Sequence, residues 1–360
     1  MKALKKPLIV HIISGDKFAS GYVNFMKMKM TEWEHSFFVR DIGFELKFIN
    51  REQIIFYRKD KELCSQDNQA LLNKCDKIII SGAFYLFDFM KNASDAIIKK
   101  TYIQFWGGDF YCFRHAWKFD ARKKKKILGG FVKKCAGTVS LIQGDIEQLQ
   151  RIFPSDNEHY VAQMPSDLME EFKEFSQLDF NPPSPPYRIL LGNSSTKENQ
   201  HIPALQLISR FKNENIRIIC PLSYGDMNYK KKVIEFGKQE FGDKFQPVEN
   251  YMSKDEYIAL LNHADMAVFN NNRQQALGNI WIMLRLGKKV FIRDDTAMWE
   301  HFRNLGVTVH SVGEWKEQSL QQLVSARQEE ISGNHERALE YDSGVIAMKQ
   351  WKIIFDSKII

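Results

Sequence analysis

Short apolar runs separated by longer amphipathic stretches recur along the whole chain. In the first half Leu8–Ile13, Ser36–Arg40, Ile54–Tyr57, Lys77–Ile80, Tyr102–Trp106 and Thr138–Ile142 read as strands. In the second half Tyr187–Leu191, Ile216–Cys220, Met266–Asn270, Lys289–Ile292 and Val307–His310 do the same, with Phe245–Val248 as a weaker candidate. Between these later runs lie helix-length amphipathic segments: His201–Lys212, Tyr229–Phe241, Lys254–His263, Leu277–Leu286 and Thr296–Asn304. Strand–helix alternation at this spacing predicts parallel sheets covered by helices on both faces.

The pattern breaks once, at Phe180-Asn181-Pro182-Pro183-Ser184-Pro185-Pro186-Tyr187. Prolines this dense continue neither a helix nor a central strand, so the segment reads as a stiff linker. The expected organisation is a first domain over 1–180, a linker over 181–187, a second domain over 188–337 and a helix over 338–360. That last segment, with Trp351, Ile353 and Ile354 near its end, either packs on the second domain or crosses back to the first. The predicted fold class is α/β: two Rossmann-like domains facing across a cleft, where ligands bind at the carboxyl ends of the strands.

The length of 360 residues suits two cores better than one. No apolar run approaches the ~18–20 residues that span a bilayer. The basic start Met1–Pro7 is followed by an apolar run too short for a leader peptide, and that run contains His11 and leads to Gly15-Asp16. A first strand is the better reading. The cysteines (Cys64, Cys75, Cys112, Cys135, Cys220) are odd in number and never spaced as CxxC, which suggests neither a disulfide framework nor zinc, but reduced thiols in a cytosolic protein.

Charge is uneven. Residues 1–140 hold 26 Lys and Arg against 14 Asp and Glu, whereas the whole chain is only +7. The densest run is Arg122-Lys123-Lys124-Lys125-Lys126, with Lys133-Lys134 beyond it. It reads as a solvated helix face, or as a patch drawn to anionic lipid. Nucleic acid is not expected, since no RNA-binding signature or zinc-finger spacing accompanies the run.

The loops after the strands hold the candidate chemistry. Gly192-Asn193-Ser194-Ser195-Thr196 offers close backbone approach, free N–H groups and hydroxyls suited to phosphate, or simply an N-capping loop. Tyr224, in Pro221–Asp226, could stack on a base or sugar, or simply belong to a turn. The richest loop is Asn270-Asn271-Asn272-Arg273-Gln274-Gln275, leading into the apolar helix that begins Ala276-Leu277-Gly278-Asn279. A helix N-terminus carries partial positive charge and unpaired donors, Arg273 adds a fork matched to phosphate, and Asn272, Gln274 and Gln275 take hydroxyls or a base edge. Together these read as a pyrophosphate cradle, the alternative being a polar loop whose amides merely cap the helix. In the first half, Asp16 and Asp109 stand at strand ends as candidate general bases; Asp109, after two glycines and among aromatics, reads equally as a cap of a turn or helix. No GxGxxG in the right setting, no GxxxxGK[ST] and no GxSxG occurs, so dehydrogenase, P-loop and α/β-hydrolase readings lose their support.

Taken together, Gly192-Asn193-Ser194, His201-Ile202, Ala204-Leu205, Pro221 with Tyr224, and Arg273-Gln274-Gln275 with Gly278 resemble one family. It is the TDP-N-acetylfucosamine:lipid II N-acetylfucosaminyltransferase family, also called the 4-alpha-L-fucosyltransferase family or glycosyltransferase family 56. The first half adds His11, Gly15-Asp16, Gly82, Trp106-Gly107, Asp109, Tyr111 and Gly144-Asp145. The resemblance implies a GT-B architecture with the donor in the second domain, no obligatory metal and no cofactor. It implies transfer of a 4-acetamido-4,6-dideoxyhexose such as N-acetylfucosamine from a dTDP-sugar donor. The implied acceptor is an undecaprenyl-pyrophosphate-linked glycan at the cytoplasmic face of the bacterial inner membrane, where the protein would be peripheral. On that expectation Arg273 and the Gly278 helix N-terminus stabilise the leaving diphosphate. Gly192, Asn193, Ser194, Tyr224, Asn272, Gln274 and Gln275 hold the donor, and Asp109 or Asp16 serves the acceptor hydroxyl. Arg122–Lys126 would meet the membrane. Ala276-Leu277 and Asn279 depart from the glycine-rich form of the enterobacterial members. The rival readings are a nucleotide-sugar epimerase, a transferase with a different donor in O-antigen or capsule synthesis, and a non-catalytic basic membrane- or nucleic-acid-binding module.

Overall fold

The computed structural model describes residues 5–114, 116–165 and 182–358. The chain divides into two compact units, Met1–Glu171 with Asp342–Ile360, and Phe172–Tyr341. Phe180 and Asn181, at the start of the proline-rich stretch, lie outside the described residues.

The first unit holds seven described strands: β1 (Leu8–Ser14), β2 (Glu34–Arg40), β3 (Ile54–Tyr57), β4 (Lys77–Ser81), β5 (Thr101–Phe105), β6 (Gly137–Ser140) and β7 (Glu158–Val161). They pair in parallel in the order β3-β2-β1-β4-β5-β6-β7. Side chains alternate across a strand, and β1 shows the consequence. Val10 and Ile12 join a core with Ile78, Ile80, Phe105, Phe89 and Phe131, while Ile9 and Ile13 join another with Tyr22, Phe37, Ile79 and Trp351. Each face is therefore covered by helices, which is why the strands read as continuous apolar runs. The strand β7 escaped the sequence pattern because Glu-His-Tyr-Val on a partly exposed edge makes no apolar run.

The helix Val345–Asp356 belongs to this first unit. Trp351 is fully buried and donates its indole N–H to the Gln163 carbonyl. Lys77 Nζ donates to the Ile354 carbonyl at 2.7 Å and to the Ser357 hydroxyl at 2.8 Å, placing a cation at the carboxyl end of the helix. The chain returns to the first unit after Tyr341.

In the second unit the strands are β8 (Tyr187–Leu191), β9 (Ile216–Pro221), β10 (Phe245–Val248), β11 (Met266–Phe269), β12 (Lys289–Ile292) and β13 (His310–Ser311), parallel in the order β10-β9-β8-β11-β12-β13. The last strand is shorter and later than Val307–His310. Val307 N donates to the Phe302 carbonyl to close the preceding helix, and Asn334 takes both the N–H and the carbonyl of Thr308. Those backbone groups are no longer available to a ladder.

The two sheets share one topology. Each starts in its middle (β1, β8), grows outward on one side, then returns to the other side (β4, β11). At that reversal the loops leaving the two central strands diverge to opposite faces and open a crevice at the carboxyl ends. In the second sheet these are the loops after β8 and β11, the two richest in candidate residues.

Candidate functional site

The loop after β8 is built on an absent side chain. Gly192 sits at φ +69°, and a Cβ there would stand 2.5 Å from His201 Nε2 and 2.9 Å from Asn199 Oδ1. Beneath it Asn199 is fully buried. Its Oδ1 accepts from Asn193 N at 3.0 Å, and its Nδ2 donates to Ser194 Oγ at 3.1 Å and Thr196 Oγ1 at 2.9 Å. Asn199 was not among the sequence candidates, although it is the scaffold of the loop. Its only signal was membership of a polar stretch ahead of a helix. Burial holds the His201 ring neutral, with its pKa lowered to about 4, and neither ring nitrogen has a hydrogen-bond partner among the described residues.

Two neighbouring loops fasten onto this one. The Tyr224 carbonyl accepts from both the N–H and the hydroxyl of Ser195 at 2.8 Å, and Gly225 bridges to Ser195. Asn193 Nδ2 lies 3.4 Å from the half-exposed Tyr224 hydroxyl. On the other side of the reversal, Gln275 Nε2 reaches Thr196 Oγ1 at 3.1 Å, Ser194 Oγ at 3.2 Å and Asn193 Oδ1 at 3.4 Å. Asn272 N donates to the Glu198 carbonyl and Asn270 Nδ2 to the Gln200 carbonyl. Asn193, Ser194, Tyr224 and Gln275 are thus brought together with Gly192 around one crevice.

The helix Leu277–Arg285 starts from Ala276, a left-handed residue at φ +64°, and no side chain caps it. The first-turn N–H groups of a helix have no intrahelical acceptor. Gly278 is exposed, and a Cβ added to it would meet nothing within 4 Å, so the space before this turn is open. Arg273 is half-buried beside it, with Nη1 donating to the Gln274 carbonyl at 2.7 Å. Asn279 Nδ2 donates to the Tyr257 hydroxyl at 2.9 Å, a pair that sequence reasoning missed.

Within this polar loop several groups lack partners. Asn271 and Gln274 are each 3 % exposed, yet both amide atoms of Asn271 and Oε1 of Gln274 have no hydrogen-bond partner among the described residues. Gln275 Oε1 is likewise unpartnered. Buried polar atoms without partners are costly, about 1–3 kcal/mol each, and uncommon in folded proteins. Four such atoms in one loop, beside an uncapped helix end and an arginine, are groups that a polar ligand could satisfy.

A family model, 4-alpha-L-fucosyltransferase glycosyl transferase group 56, matches residues 24–345. The chain belongs to this family. It is a glycosyltransferase, and its solved structural relatives share the fold. A glycosyltransferase from Rickettsia africae ESF-5 is 13% identical, with a TM-score of 0.65 over 97% of this chain and 98% of that one. WaaG, a glycosyltransferase involved in lipopolysaccharide biosynthesis, is 10% identical, with a TM-score of 0.62 over 98% and 100%. An alpha-glucosyltransferase solved with UDP and a DNA 13-mer is 12% identical, with a TM-score of 0.63 over 98% and 100%. Two parallel-sheet domains of the GT-B kind are the architecture of this group 56 member.

The two carboxylates of the first unit differ sharply. Asp109 is buried, with Oδ1 accepting from Trp106 N at 2.9 Å and Oδ2 from Ala83 N at 3.0 Å, so it ties the loop after β4 to the loop after β5. Asp16 is half-buried at the end of β1. Its Oδ1 accepts from Phe18 N, and burial raises its pKa despite that bond. In the basic run, Arg122 and Lys125 donate to the carbonyls of Ala116 and Phe113, whereas Lys123, Lys124 and Lys126 are exposed.

Among the described residues no group of three or more His, Cys, Asp or Glu is placed to hold a metal ion. No helix among them is long and apolar enough to cross a membrane.

Proposed function

We propose that this group 56 glycosyltransferase transfers a 4-acetamido-4,6-dideoxyhexose, such as N-acetylfucosamine, from a dTDP-sugar to an undecaprenyl-pyrophosphate-linked glycan in cell-surface polysaccharide assembly. The observation that carries the donor assignment is the set of buried atoms without partners among the described residues, the Asn271 amide and Gln274 Oε1, next to the open helix end at Gly278. A nucleotide diphosphate supplies both kinds of partner those groups lack: base or sugar edges for the amides, and phosphate oxygens for the helix N–H groups. Family membership supports the deoxyhexose donor and the lipid-linked acceptor.

In this mechanism Arg273 and the first turn at Gly278 bear the charge that develops on the leaving diphosphate. Gly192 gives the phosphates close approach to backbone. Asn193, Ser194 and Tyr224, with Asn272, Gln274 and Gln275, hold the nucleotide and sugar. Asp16, whose raised pKa suits a proton acceptor, takes the proton from the acceptor hydroxyl, and Asp109 positions the loops of the first unit. The exposed lysines Lys123, Lys124 and Lys126, with Arg122 and Lys125, draw the protein to the anionic cytoplasmic face of the inner membrane.

The deciding experiment is a thermal-shift comparison of dTDP with UDP, GDP and CMP. A ligand bound only by the folded chain raises its midpoint. Saturable stabilisation by dTDP well above the other three is expected. Preference for another nucleotide would replace the donor, and no stabilisation by any of them would remove the donor site.

A further inference from the structure

Trp117 is 73% exposed and Phe119 is 80% exposed, the two most exposed large apolar side chains among the described residues. They flank Lys118, whose ammonium lies 5.5 Å from the centre of the Trp117 ring. Phe119 opens the helix Phe119–Val132 and lines a groove of about 610 Å³. Phe84, Phe87 and Phe113 line that groove, and Lys118 and Lys124 stand beside it. Tyr85, next to Phe84, is more than half exposed. Phe119 therefore shares one groove with three further rings, and Trp117 stands two residues before it.

The charge around it is lopsided. From residue 110 to residue 136 there are nine Lys and Arg and one carboxylate, Asp120. Among the described residues no carboxylate pairs with Arg122, Lys123, Lys124, Lys125 or Lys126, and Lys134–Asp95 is the ion pair made by this stretch. The segment is also held in place. Lys125 Nζ donates to the Phe113 carbonyl and Arg122 Nε to the Ala116 carbonyl, so two of the cations anchor the approach to Trp117. Fixing exposed tryptophan and phenylalanine at the end of a cationic helix has no benefit to a surface that meets only water.

We propose that Trp117 and Phe119 form an apolar anchor that inserts into an anionic phospholipid bilayer while the 119–132 helix lies against the headgroups. A tryptophan is at home at the level of the headgroups, and lysines beside it meet lipid phosphate. Neither half is strong alone, whereas apolar insertion combined with a basic patch gives stable attachment. This anchor rests on the peripheral membrane assignment made above and gives it a defined contact.

The test is co-sedimentation of the full-length protein with phosphatidylcholine vesicles, with and without phosphatidylglycerol. The variants are Trp117→Ala/Phe119→Ala and Lys123→Gln/Lys126→Gln. Both pairs are on the surface, and an unchanged thermal midpoint checks their folding. The wild type is expected to partition onto the phosphatidylglycerol vesicles and to keep part of that binding at high salt. The aromatic double variant should lose partitioning at least about tenfold, including the salt-resistant part. Wild-type partitioning by the aromatic variant, with loss in the lysine variant, would overturn the anchor and leave the membrane assignment standing. No binding by the wild type to either vesicle would overturn both. Binding of single-stranded oligonucleotide in preference to vesicles, lost only in the lysine variant, would assign the cations to nucleic acid and overturn the anchor. Donor binding, read separately by nucleotide-induced stabilisation, is independent of all these outcomes.

Discussion

Gln275 donates its side-chain amide to the Thr196 hydroxyl at 3.1 Å, fastening the loop after β11 to the loop after β8 across the point where the second sheet reverses. The same Nε2 lies within reach of Ser194 and Asn193, so one amide sets the spacing of the two loops. Gln275→Leu keeps the bulk and removes the donor. Stability should fall by only about 1 kcal/mol, the worth of one hydrogen bond. Transfer should fall further, about tenfold to a hundredfold in kcat/KM, because misplaced binding groups cost rate. Steady-state kinetics with varied donor, alongside denaturant unfolding, separates the two. Equal small losses in both would mean that the link is structural only.

Arg273 has a different role from its neighbouring amides, since it alone in the loop brings full positive charge. Arg273→Ala should lower kcat by about two to three orders of magnitude, as removal of a group that stabilises developing charge does elsewhere. Donor affinity should change much less, because the amides and the helix end remain. Arg273→Lys should recover part of the rate, limited by the loss of the planar fork. Near-normal turnover by the alanine variant would take Arg273 out of the reaction.

Ala276 holds φ +64° at the entry to the 277–285 helix, a conformation that favours glycine. For an alanine that conformation carries a structural cost. Ala276→Gly relieves left-handed strain of about 1–2 kcal/mol and adds back some unfolded-chain entropy. The net expectation is stabilisation of about 0.5–1 kcal/mol, seen as a rise of roughly 2–3 °C in the second domain's thermal midpoint. A fall in midpoint would show that the alanine methyl makes packing contacts worth more than the strain.

Much of this was legible in the sequence because parallel strands buried on both faces announce themselves as short apolar runs, and β8, β9, β11 and β12 begin at their predicted residues. The Gly192 and Asn270–Gln275 loops stood out for similar reasons, as clusters of small and amide residues at strand ends. Hidden from view were features that depend on where distant backbone goes. Asn334 diverts the Thr308 peptide and shortens β13, and no local signal marks a side chain that acts 26 residues away. Asn199 and the Tyr257–Asn279 pair are ordinary residues made important by the neighbours that topology gives them. Burial, not spacing, separates Asp109 from Asp16.

That separation predicts different phenotypes for the two carboxylates. Asp109→Asn loses acceptor capacity at one of two backbone N–H groups, so it should destabilise the protein by about 1–3 kcal/mol. The variant molecules that remain folded should show an unaltered pH–rate profile. Asp16→Asn leaves the fold nearly intact but removes the proton acceptor. Burial lifts the Asp16 pKa, so the acidic limb of kcat/KM in the wild type should lie above the usual carboxylate range near 3.9. It should disappear in Asp16→Asn together with most of the rate. An acidic limb that persists unchanged in that variant would assign the proton to another group.

The buried histidines make acid the weak side of this protein. His35 Nε2 faces the Met30 carbonyl, which can only accept, so that nitrogen carries the proton. His35 Nδ1 must then accept from His11 Nε2 at 2.9 Å, and His11 Nδ1 accepts from the Tyr22 hydroxyl at 2.8 Å. A further proton on either ring breaks this chain inside a core. Burial accordingly holds the His11 pKa well below its usual value and lowers that of His35 to about 4. His201 in the second unit is also near 4. In the unfolded chain these rings titrate near 6.5. Between about 4 and 6.5 the unfolded state therefore binds more protons, and stability rises with pH across that window. Each fully buried ring contributes at most about 1.4 kcal/mol per pH unit. Denaturant midpoints followed from pH 7 to pH 5 should drop steadily, beginning near pH 6.5 rather than in the carboxylate range. His11→Phe/Tyr22→Phe, which replaces two linked polar groups by apolar ones, should flatten the slope in the first unit and leave that of the second unchanged. A midpoint constant down to pH 5 would mean that these rings accept protons in the native state without leaving their sites.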